Sequence, residues 1–114
     1  MESILTSIKK LLGIAEEYNH FDPDIIMHIN GVFSDLTQIG VGPPEGFMIE
    51  DETTAWNDFI PLSGPALFES VKTYIYLKVK LVFDPPPNSS TIESMNRRIS
   101  ELEWRLNVAA EEAK

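Results

Sequence analysis

At 114 residues the chain has room for one small domain, residues 1–114, with a modest core and little space for an elaborate active-site superstructure. The absence of cysteine rules out disulfide staples, thiolate zinc sites and cysteine nucleophiles; no apolar run approaches the ~20 residues that span a bilayer. Eighteen acidic against nine basic residues give a net charge of -9, which opposes the counterion release that attaches proteins to nucleic acid, although a wall that repels phosphates lets a duplex pass without sticking.

Ser3 to Leu12 reads as a first helix with Ile4, Ile8, Leu11 and Leu12 on one side and Gly13 as its stop. Polar Thr6, Ser7, Lys9 and Lys10 interrupt this segment, unlike a signal peptide, so synthesis and assembly in a cytoplasm are expected. A polar connection, Ile14 to Phe21, leads to Asp22-Pro23, where Asp22 is the expected N-cap and Pro23 the first helical residue. The second helix carries a buried stripe of Ile25, Ile29, Val32, Leu36 and Ile39, widened by Ile26 and Phe33. Asp24, His28, Gly31, Asp35 and Gln38 lie opposite, and Gly40 ends the helix.

Three glycines and two prolines between Gly40 and Gly46 deny both helix propagation and ladder hydrogen bonds. Phe47-Met48-Ile49 is expected to run extended, ahead of the acidic run Glu50-Asp51-Glu52. A short helical turn from about Thr54 to Phe59 follows, in which Trp56 and Phe59 anchor the excursion on the core. This ordered connector, roughly 25 residues long, exceeds the usual connection and hints at a functional surface.

The third helix is expected from Ser63-Gly64-Pro65 to Phe83, stopped by Asp84 and the three prolines after it. Leu67, Val71, Tyr74 and Leu81 on one side and Phe68, Ile75, Val79 and Val82 on the other make a wide apolar arc, as suits a central helix. Lys78 projects from the middle of that arc, which predicts a carboxylate partner in this chain or a neighbour, or a snorkelling stem.

The fourth and longest helix starts after Pro87, with Ser90 and Glu93 in capping-box register. Ile92, Met95, Ile99, Leu102, Leu106, Ala109 and Ala113 form its core stripe, and Glu101 and Arg105 are a favourable i, i+4 pair. Arg97 and Trp104, seven residues apart, fall on the opposite face, where a soluble monomer has little reason to put an indole. With Arg105 and Val108 they are the candidate partner-binding residues. The fold class expected is therefore all-α, a small bundle of about four helices with a long ordered connector between helices two and three and a long C-terminal helix.

Catalytic chemistry is hard to place. His20, Asp22, Asp24 and His28 lie close in sequence, but they lack the two-histidine helical spacing of metalloproteases, and a solvated helix face accounts for them. No phosphate-cradling loop followed by Lys and Ser/Thr is present, nor a Gly-x-Ser-x-Gly elbow. No catalytic residue, cofactor or metal is expected.

Four segments carry a resemblance. They are Ile8-Lys9-Lys10-Leu11-Leu12-Gly13-Ile14; the acidic turn into Phe21-Asp22-Pro23-Asp24-Ile25; the helix and stop from Ser70 to Pro86; and Ile99-Ser100-Glu101-Leu102-Glu103-Trp104-Arg105-Leu106. In pattern and order the chain resembles the small head-tail connector, or adaptor, proteins of long-tailed bacteriophages. The Gly40 to Pro65 excursion is longer and richer in proline than the family's usual connections. The resemblance implies a helical, non-enzymatic virion protein: a homo-oligomer ring of twelve copies docked on the portal protein through its C-terminal segment. The ring would carry stopper or tail-completion proteins and let DNA pass without sequence-specific binding. In that setting Glu50, Asp51 and Glu52 are candidates for an acidic rim of the DNA passage. A different reading, a small acidic regulator binding a protein partner through the C-terminal helix, uses the same exposed residues.

Overall fold

A computed structural model describes residues 2–59 and 65–112. Helices α1 (Ile4–Leu12), α2 (Asp22–Gln38), α3 (Trp56–Phe59), α4 (Pro65–Phe83) and α5 (Ser89–Glu112) follow in order. Among the described residues no strand forms beyond an isolated bridge between Ser3 and Ala55. The all-α bundle with a long C-terminal helix is thus the observed architecture, with the single turn α3 added to four longer helices. Ser63, Gly64 and Ala113, which the sequence places in helices three and four, lie outside the described residues.

Helix α1 is closed at both ends by local bonds. Ser3 Oγ accepts from the Thr6 N–H at 3.3 Å. Gly13, at φ 81°, lets its own N–H reach the Lys10 carbonyl and the Ile14 N–H reach the Lys9 carbonyl, a turn that needs the left-handed conformation glycine adopts without penalty. Two caps differ from expectation. Helix α2 already includes Asp22 as its first residue, Phe21 holds the cap position without a side-chain bond, and the Asp22 carboxylate instead meets the Lys9 ammonium at 2.9 Å. A carboxylate that can neutralise a buried cation does more there than one satisfying a backbone donor that water reaches. Helix α5 begins at Ser89, and its cap is Asn88, whose Oδ1 accepts from the Ser90 and Thr91 N–H groups at 2.8 and 3.3 Å; Ser90 is therefore inside the first turn.

Helix α4 is the central element, packed on α1, α2 and α5. Its Val71, Tyr74, Ile75 and Val79 are buried together with Ile25, Ile29, Val32, Phe33 and Leu36 of α2 and Ile99, Leu102 and Leu106 of α5, whereas Val82, assigned by its spacing to the apolar arc, is exposed. Each such aliphatic side chain contributes about 1.5–3 kcal/mol when fully buried.

The connector is tied down at several points. Backbone bonds join Ile4 N–H to the Thr54 carbonyl at 3.0 Å and Trp56 N–H to the Glu2 carbonyl at 3.4 Å. Trp56 is fully buried and donates its indole N–H to Ser7 Oγ at 2.9 Å, which satisfies the one polar atom of the ring. Phe59 stacks with Phe33 and Phe47, with ring centroids 4.7 to 5.0 Å apart. The anchoring expected of Trp56 and Phe59 is observed. Gly42, at φ 88°, lies so close to the Phe59 ring that a Cβ would collide with it.

Candidate assembly surface

The outward face of α5 follows from the residues that hold its inward face. At 100° per residue, Ile99, Leu102 and Leu106 cluster on the side buried against the bundle, and Arg97, Trp104 and Val108 fall within about 40° of one another on the far side. Trp104 is 68% exposed, Arg97 and Arg105 are exposed, and Val108 is partly covered. The three arginines of the chain all lie on this helix. Arg98 and Arg105 converge on Glu101 at 3.0 and 2.7 Å, while Arg97 donates to Ser94 Oγ at 3.2 Å and, among the described residues, meets no carboxylate within ion-pair distance.

A part-buried polar clasp on α4 reaches α5 and α2 and sets the rotation of α5 through Glu103. Tyr74 of α4 donates its hydroxyl to Glu103 Oε2 at 2.7 Å, and Lys78, one turn on, donates to Asp35 Oδ2 of α2 at 2.6 Å and to the Tyr74 hydroxyl at 3.4 Å. The carboxylate partner expected for Lys78 is therefore Asp35 of the same chain. Burial, and secondarily the bond to Glu103, push the Tyr74 phenol above its ordinary pKa, so it remains a donor. Farther along α5, Asn107 Nδ2 donates to the Ile39 carbonyl at 3.3 Å. With these bonds made, turning Trp104 inward would break the clasp.

The acidic run of the connector is exposed at all three positions. Asp51 folds back on Thr53, accepting from its hydroxyl and its N–H, and those bonds hold the Asp51 carboxyl below its ordinary range. Glu52 lines a cleft of about 260 Å³ with Glu16, Glu17 and Asp22. Of the four residues weighed as metal ligands, Asp22 is engaged with Lys9, and His20 packs on the Phe21 ring at 4.9 Å.

Two features escaped the sequence pattern. Lys9 is 2% exposed, with its ammonium donating to the Glu16 and Tyr18 carbonyls at 2.9 and 2.8 Å beside the Asp22 carboxylate, so it pins the whole acidic loop to α1. Its position on the edge of the apolar arc of α1, next to Leu5 and Leu12, was the available signal. The second is a groove of about 730 Å³ between α2 and the connector, lined by Gly31, Ser34 and Gln38 on one side and Glu45, Phe47 and Met48 on the other. Asn30 builds it by clamping Ile49 from both ends of its amide, Nδ2 to the carbonyl at 3.0 Å and Oδ1 from the N–H at 2.8 Å.

An exposed indole on a packed helix and an exposed acidic run in the connector present a surface suited to assembly. The family model described as phage connector protein matches residues 4–113. The chain belongs to the phage connector family. No curated protein and no solved structure matches it. The connector is accordingly a structural component of the phage particle at the junction of head and tail, in a family that builds rather than catalyses. Among the described residues no helix is long and apolar enough to cross a membrane.

Proposed function

We propose that this connector is the adaptor ring of the virion neck: twelve copies seated on the portal protein, carrying stopper or tail-completion proteins on the other side, assembled in the host cytoplasm and leaving a central passage for DNA. Helix α5 is the docking helix, its C-terminal end seated on the portal, and Arg97, Trp104, Arg105 and Val108 form the partner-binding surface through which the protomer enters the portal-bound ring. Glu50, Asp51 and Glu52 face the passage or its rim, where their charge discourages phosphates from adhering.

The observation that carries this reading is the 68% exposure of Trp104 on a helix whose rotation the Tyr74–Glu103 and Asn107–Ile39 bonds hold in place. Trp and Arg side chains that become buried on association commonly dominate the binding energy of an interface. The test is co-sedimentation of wild type and Trp104→Ala with portal particles of the same phage. The variant keeps its fold, as judged by an unchanged helical circular-dichroism signal, and is retained at least tenfold less well. Equal retention of the two proteins refutes the assignment.

A further inference from the structure

We infer that Trp104 and Arg97 of one copy seat in the groove between α2 and the connector of the next copy, making this the lateral joint of the ring; the inference rests on the ring reading above and names the partner of the same α5 surface.

Shape is the first argument. The indole stands out from α5, and the groove offers an open volume of about 730 Å³ with the exposed Met48 and the Phe47 ring on one wall. From α2 it is lined by Gly31 and Ser34, and a Cβ added at Gly31 would meet no atom within 4 Å, so the middle of the groove is open to an incoming side chain. Its wall is pre-organised, because the Asn30 clamp and the packing of Phe47 on Phe33 and Phe59 are already in place, so little ordering cost remains for the bound state.

Charge is the second. Residues 1–59 contain eleven carboxylates and two lysines, whereas residues 60–114 contain seven of each sign, so the net charge of -9 resides wholly in the half that forms the groove. Both lysines of that half are engaged within the chain, Lys9 with Asp22 and Lys10 with Glu2 at 2.6 Å. Glu45 lines the groove, and Arg97 arrives without an ion-pair partner of its own among the described residues. An arginine-bearing helix from a second copy therefore meets a complementary surface.

Geometry and size complete the case. Knob and groove are different patches, so the contact is head-to-tail, the kind that closes into a ring when the rotation permits. The groove follows α2 from Gly31 to Gln38, about 10 Å, whereas α5 is about 36 Å long. One or two turns around Trp104 suffice to fill it, leaving Val108 and the helix end for the portal. An indole covers about 150–250 Å², well under the ~800 Å² per partner of a stable pair, so a single joint is weak and the ring closes cooperatively on its platform.

The cysteine-free chain permits a direct test. Met48→Cys and Ser100→Cys, the latter exposed one turn before Trp104, are combined in one chain, mixed with portal particles and treated with a short thiol-to-thiol crosslinker; wild-type ring formation is followed in parallel by electron microscopy. The expected result is a ladder of dimers, trimers and larger species from the double variant and at most dimers from either single variant. Adding Gly31→Leu, which fills the groove, or Trp104→Ala lowers the ladder at least tenfold while the helical signal is kept. A wild-type ring with no ladder, or a ladder indifferent to Gly31→Leu, overturns the joint and leaves the ring reading standing. A band joining Met48→Cys to portal protein instead assigns the groove to the portal and also overturns it. Absence of any wild-type ring removes both readings.

Discussion

Replacing Lys9 by Met keeps the unbranched apolar stem and removes the terminal ammonium, isolating the role of one buried charge. In the native protein the Lys9 ammonium donates to the Glu16 and Tyr18 carbonyls at 2.9 and 2.8 Å and lies 2.9 Å from the Asp22 carboxylate as an ion pair. Taking one partner from a buried ion pair costs about 3–5 kcal/mol, and each orphaned carbonyl about 1–3 kcal/mol more if water cannot reach it. Water does reach this site in part, since the Asp22 side chain is 21% exposed and the loop is otherwise solvated, so the lower end applies, about 3 kcal/mol. Against a total of about 5–15 kcal/mol that loss is large, and at about 4–8 °C per kcal/mol it lowers Tm by roughly 12 °C or more. Urea unfolding of wild type, Lys9→Met, Asp22→Asn and the double variant gives the coupling directly, because removing both charges spares the orphaned carboxylate. The double variant is expected to be less destabilised than the sum of the singles, with amide protection in residues 14–21 lost in Lys9→Met. A Lys9→Met protein within about 1 kcal/mol of wild type, with those amides still protected, refutes the pinning role.

The Tyr74 phenol has its pKa raised in the folded chain, so its stabilising contribution is fully present below the ordinary phenol value of about 10 and declines as pH rises above it, where only the unfolded chain ionises. Tyr74→Phe is expected to be less stable by about 1–2 kcal/mol at pH 7 through the loss of its bonds to Glu103 and Lys78, with the gap to wild type narrowing by pH 11; a gap constant across urea titrations from pH 7 to 11 contradicts this. Neutralising the connector run as Glu50→Gln, Asp51→Asn and Glu52→Gln is expected to leave the helical signal and Tm unchanged, since all three are exposed, and to make assembled rings retain labelled duplex at low salt. That retention fades toward physiological ionic strength, where charges are screened over about 8 Å. Unchanged retention at low salt, or an assembly with these carboxylates on the outer circumference, refutes their place at the passage.

What depends on local periodicity and local backbone freedom was legible in the chain alone. The buried stripes of α2 and α5, the Gly13 stop, the anchoring of the connector by Trp56 and Phe59 and the outward direction of Trp104 all follow from a repeat of 3.6 residues and from the few conformations glycine and proline permit. The need of Lys78 for a carboxylate was equally legible, because a charge inside an apolar arc has few stable outcomes. Which carboxylate answered it depended on the packing of α2 against α4, since Asp35 lies 43 positions away and looked like one more residue on a solvated face. The same holds for Asp22, where capping α2 and pairing with Lys9 were both chemically sound and the outcome turned on how the acidic loop folds back over α1. The groove beside Met48 was invisible for the same reason: its two walls belong to segments whose approach is fixed by Asn30 and by three phenylalanine rings distant in sequence, and helical period reports the faces of one element but not which faces meet.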